Sequence, residues 1–99
     1  MDNLKRAERW TAVAKMWKQV EREANFAASS IEYTSKLAVL GDSGEDAAAA
    51  GITDAVAGVH EATYNAAVAT IALIMEAYDG CNPELAMTAA VRMLHDKAE

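Results

Sequence analysis

Only two short stretches of this chain carry the residues that stop a helix: LGDSGED at 40–46 and YDGCNPEL at 78–85. Between them no segment alternates apolar and polar residues as a strand does, and no Asn-Gly hairpin signal occurs. The pattern therefore predicts an all-α fold with helices over about 3–40, 44–79 and 83–97. At 1.5 Å per residue each of the first two would be roughly 55 Å long, making an antiparallel helical hairpin with a short third helix. Gly41 suits the left-handed position that closes a helix, and Ser43 with Asp46 forms a capping pair for the next start. Gly80 closes the second helix, Asn82 caps the third, and Pro83 takes its first position, where a missing N–H costs nothing.

Heptad spacing sets the expected contacts. In the first helix Trp10, Trp17, Ala24, Ile31 and Ala38 share one position, and Val13, Val20, Ala27 and Thr34 lie three residues later. Ser29-x-x-Glu32 resembles a cap for a separate helix, but the seam stays in phase across it, so one continuous helix is expected. The second helix repeats Ile52, Val56, Val59, Thr63, Ala66, Thr70, Leu73 and Ala77. Beyond Tyr64 it gains another apolar face of Val68, Ile71, Met75 and Tyr78, to be met by Leu85, Met87, Ala90, Val91 and Leu94. That third helix is expected to cover the lower half of the hairpin, beside both tryptophans.

Two features ask for more than one short chain supplies. Phe26, Tyr33, Leu37 and Leu40 form an apolar stripe on the first helix that the third is too short to reach. The thin stretch AAAAGITDAVAGVHEA at 47–62 places Gly51 and Gly58 one heptad apart. Each mid-helix glycine costs about 1 kcal/mol relative to alanine, so close approach of another backbone is expected there. These six residues are the expected interface. A homodimer closing a helical bundle is the simplest way to cover it, with a groove held for a different protein as the competing reading.

Alanine dominates the 53% of the chain that is hydrophobic, so burial stabilises weakly per contact. The lone Cys81 excludes an internal disulfide, and the opening MDNLKRAERW lacks the apolar core of a signal peptide. With no membrane-length apolar run, a cytoplasmic protein is expected. Net charge is −6, split into +2 over residues 1–40 and −8 over 41–99. Asp42, Glu45, Asp46, Asp54 and Glu61 form an acid run without a base, a surface suited to a basic protein partner and unsuited to nucleic acid.

Chemistry-bearing patterns are weak. His60 has no His or Cys companion at helical spacing, and Cys81 has no CxxC partner or placeable base. Glu76-x-x-Asp79 resembles half of the acidic motif of all-α nucleotide pyrophosphohydrolases, but the companion Glu-x-x-Glu is missing. Lys15, Lys18 and Arg22 make a basic stripe without the exposed aromatics or helix-turn-helix of a nucleic-acid binder.

The expectation is a small, acidic, non-enzymatic interaction module without cofactor, an inhibitor or adaptor that binds a basic protein surface. Phage and mobile-element inhibitors of the anti-CRISPR type share this build. The alternatives are a metal-dependent enzyme whose site is assembled across a dimer from His60, Glu61, Glu76 and Asp79, and a structural subunit or secretion chaperone.

Overall fold

The structure, a computed structural model, describes residues 2–98. Three helices follow one another: α1 (Asn3–Leu40), α2 (Glu45–Tyr78) and α3 (Pro83–Ala98). The all-α fold and the long hairpin are as the sequence predicts, and α1 runs unbroken through Ser29.

Local chemistry fixes the ends. Asp2 Oδ1 accepts from the Lys5 N–H at 2.8 Å, capping α1. Gly41 adopts φ 66°, and the N–H groups of Gly41 and Asp42 donate to the carbonyls of Ala38 and Leu37, satisfying groups that the last turn leaves open. The second start differs from expectation. Gly44, not Ser43, is the capping residue, and no side chain caps α2. Asp42 organises the turn instead, its Oδ1 accepting from the Gly44 N–H at 2.7 Å. At the other break Gly80 takes φ 73°, and Asn82 Oδ1 caps α3 by accepting from the Leu85 N–H at 2.9 Å.

The α1–α2 seam is rotated from the one the hydrophobic pattern suggests. Buried or half-buried residues on α1 are Arg6, Arg9 and Trp10 near its start, then Val13, Met16, Val20, Glu23, Ala27, Ser30, Thr34 and Leu37. On α2 they run Ala48, Ile52, Ala55, Val59, Ala62, Ala66, Ala69 and Leu73. One heptad position is as expected in each helix; of its expected companion Trp10, Thr63, Thr70 and Ala77 are half-buried and the rest is not. Trp17 and Ile31 remain 40% and 49% exposed, and Val56 is 49% exposed. The reason is steric: the second contact position on α2 is alanine at Ala48, Ala55, Ala62 and Ala69, so the helices draw together on that side, keeping Val13, Val20, Ile52, Val59 and Leu73 in the seam. Trp17, Ile31 and Val56 turn out to the other side.

The same rule governs α3. It packs through Ala86 and Ala90 onto Val68 and Ala72, with Ile71, Met75, Cys81 and Leu94 around them. Leu85, Met87 and Val91, expected in that contact, are exposed. Contrary to expectation, α3 packs against α2 and not against α1, so it covers neither tryptophan. The helices therefore lie in a row, α1–α2–α3, in a layer whose Cα extents are 58 × 31 × 14 Å. The row follows from the contacts, since α2 touches both neighbours while α1 and α3 do not meet. The radius of gyration, 18.3 Å, exceeds the about 13 Å expected of a compact chain of this length.

Such a layer has little interior. Among the described residues eight are buried, five of them alanines, Leu73 is the one large side chain fully enclosed, and fifteen large apolar side chains are exposed. No helix among the described residues is long and apolar enough to cross a membrane.

Candidate functional site

A single layer presents two broad faces, and the residues divide between them by helical phase at about 100° each. Two observations mark which is which. Trp17 reaches over the seam on one side, its indole Nε1 donating to Thr70 Oγ1 at 2.9 Å. On the other side Gln19, Arg22, Glu23 and Phe26 of α1 face Gly51, Asp54, Ala55 and Gly58 of α2 across a furrow of about 430 Å³. The furrow continues as a second hollow bounded by Glu23, Gly58, Glu61, Ala62 and Asn65.

The furrow exists because α2 has no bulk there. A Cβ at Gly51 would meet nothing within 4 Å, and one at Gly58 would meet only the Glu23 carboxylate, at 3.2 Å. Within the chain, then, the thin stretch does not mark close approach of backbones, as the glycine spacing suggested. It leaves a trough. Its α1 wall is a hydrogen-bonded row: Arg22 donates to Gln19 Oε1 at 2.6 and 3.1 Å, and Gln19 Nε2 donates to Glu23 Oε1 at 3.2 Å.

Phe26, Gly51 and Gly58 of the expected interface are brought together in this trough. Tyr33 and Leu40 continue the Phe26 row at seven-residue spacing and are exposed. Leu37 instead enters the seam, its Cδ1 4.0 Å from where a Gly44 Cβ would sit. The acid run also divides. Asp42, Glu45 and Asp46 lie at the hairpin tip, Asp42 already holding the turn. Asp54 and Glu61 line the furrow, and Glu61 lies about 24 Å along α2 from Glu45 at 1.5 Å per residue.

The open end of the hairpin is closed by a two-pronged ion pair. Arg9 Nη1 and Nη2 each donate to one Glu76 carboxylate oxygen at 2.8 Å. The guanidinium holds the Glu76 carboxyl below the usual glutamate range against the opposing effect of burial, and Glu76 in turn raises Arg9. This Arg9–Glu76 contact, invisible to a search for catalytic spacing, gives Glu76 a structural task.

Within one chain the four residues of the metal site expected to be assembled across a dimer, His60, Glu61, Glu76 and Asp79, do not converge. His60 lines a hollow with Thr63, Tyr64, Ala67 and Leu94, whereas Glu61 borders the furrow. Glu76 is about 22 Å further along the helix than Glu61. Among the described residues no group of three His, Cys, Asp or Glu side chains is placed to hold a metal ion.

Compared with known protein families, curated proteins and solved structures, the chain matches none.

Proposed function

We propose that this chain is a non-catalytic interaction module that engages a basic surface of another protein, acting as an inhibitor or adaptor. The observation that carries this reading is the furrow face. There exposed Phe26 shares the furrow with Asp54, Glu61 borders its continuation, and Tyr33 and Leu40 carry the Phe26 row on toward the hairpin tip; among the described residues neither carboxylate is in an ion pair. Aromatic anchors beside unpaired charge suit a partner that offers cations around an apolar patch. The acids at the tip add to the field that such a partner meets first.

The test is capture of basic proteins by the immobilised chain, compared with two charge-reversed forms. Asp54→Lys with Glu61→Lys should abolish capture, and raised salt should weaken it for the unaltered chain. Reversal at Asp42, Glu45 and Asp46 should slow association more than it weakens the complex. If both forms retain the same partners as the unaltered chain, acid-directed recognition is wrong.

A further inference from the structure

The face opposite the furrow has the composition of an interior. On α2 its positions are Asp46, Ala49, Thr53, Val56, His60, Thr63, Ala67, Thr70, Ile74 and Ala77, whose one Asp, Glu, Lys or Arg is Asp46 in the first turn. On α1 they are Trp10, Ala14, Trp17, Glu21, Ala24, Ala28, Ile31, Ser35 and Ala38, with one formal charge among them. The furrow face of the same two helices carries Glu8, Lys15, Arg22, Asp54, Glu61 and Asp79. Depletion of charge marks the centre of a protein interface, not a solvated surface.

The rotation of the seam points the same way. In both helices the bulky heptad position that the α1–α2 contact leaves out, Trp17 and Ile31 on one side and Val56 on the other, turns toward this one face. Each helix thus carries two contact positions per heptad, and the hairpin uses one fully. The Trp17 indole N–H is already satisfied by Thr70, so covering it strands no donor.

Area decides what covers it. The chain exposes 6960 Å². A compact monomer of its 10.6 kDa would expose about 5,500 Å², so the layer carries roughly 1,500 Å² in excess. A stable complex needs about 800 Å² from each partner. The excess therefore suffices for an extensive interface on one face alone. A surface this poor in charge offers little by which to select an oppositely charged protein, whereas its apolar side chains can bury against the same side chains of a second copy.

We propose that a second copy of this chain packs on the face of Trp17, Ile31, Val56 and Ile74, giving a two-layer dimer with both furrows outward. Association is isologous, each copy offering the same residues. This rests on the reading that the chain works by binding, but it assigns self-association to the charge-poor face and leaves the furrow free for the partner.

Sedimentation equilibrium of the unaltered chain over a dilution series tests it. The expected result is twice the 10.6 kDa chain mass at high concentration, unchanged by salt. Val56→Glu and Ile74→Glu should each raise the dimer dissociation constant by at least about 100-fold, because a carboxylate would be enclosed without a partner. Phe26→Glu, on the furrow face, should leave it unaltered. Should the glutamate variants lose their helices, quenching of the combined Trp10 and Trp17 fluorescence in the unaltered chain decides: protection at high concentration that disappears on dilution supports the dimer. A monomer at every concentration overturns the proposal, as does a dimer broken by Phe26→Glu and not by Val56→Glu. Neither outcome touches the furrow reading, which stands or falls on capture.

Discussion

The Trp17 indole lies over the helix seam and not inside it, donating to Thr70 Oγ1 at 2.9 Å while that hydroxyl donates onward to the Ala66 carbonyl at 2.7 Å. A large aromatic ring is thereby tied to the far helix by its polar edge, with its flat apolar surface turned outward. Thr70 serves both helices: its bond to Ala66 fixes the hydroxyl, and the fixed hydroxyl fixes the ring.

Replacing Trp17 by Phe should cost about 1 kcal/mol of hairpin stability, since Thr70 keeps its bond to Ala66 and no buried donor is stranded. Trp17→Ala should cost more, through lost apolar contact. Chemical denaturation of both variants at one protein concentration would check the order.

The Arg9–Glu76 pair is asymmetric in exposure: the Arg9 side chain is 39% exposed and Glu76 is 10% exposed. Removing the cation strands an enclosed carboxylate, whereas removing the carboxylate leaves a guanidinium that water can reach. Arg9→Met should therefore destabilise by about 2 kcal/mol and Glu76→Gln by about 1 kcal/mol. Equal losses would mean that Glu76 is as well hydrated as its partner.

Acid should loosen the same end. Glu76 is held below its ordinary range, chiefly by the hydrogen bonds from Arg9, so its contribution is complete above the unfolded value of about 4.3. It is lost as pH falls from there through the lower folded value. The melting temperature of the unaltered chain should drop across that window relative to Glu76→Gln, which has no proton to gain at that position.

The glycines divide by conformation. Gly51 is helical with open space where a Cβ would stand, so Gly51→Ala should stabilise by about 1 kcal/mol. Gly58→Ala should gain less, because the end of the Glu23 side chain, 3.2 Å away, must shift. Gly41→Ala should destabilise by about 1 kcal/mol, since φ 66° places its new Cβ against the backbone. Thermal denaturation of the three separates these signs.

The breaks at Gly41, Gly80, Asn82 and Pro83 were readable in the sequence because each depends on one or two residues acting locally. The helix count, the unbroken α1 and the half of each seam formed by Val13, Val20 and Ala27 or by Ile52, Val59 and Ala66 followed from spacing. Choosing the other half by hydrophobicity failed. It assumes that both bulky positions meet within one chain, whereas the alanines at 48, 55, 62 and 69 draw the helices together on the other side and leave Trp17, Ile31 and Val56 outside. The same assumption sent α3 toward the tryptophans. Bringing Phe26, Gly51 and Gly58 into one trough depended on that rotation, which no local pattern encodes. Arg9 and Glu76, 67 residues apart, carried no sequence signal beyond opposite charge.

Because α3 packs on α2 alone, α2 is the only wall that α1 and α3 share. Cooperativity in such a row runs between neighbours, as it does along a solenoid. A perturbation in α3 can reach α1 only by altering α2, and paired substitutions in the two outer helices should add without coupling. The outer helices can fray independently, each taking with it one edge of the layer. Amide protection should accordingly peak along the middle of α2, near Ala66 and Leu73, and fall away toward both edges.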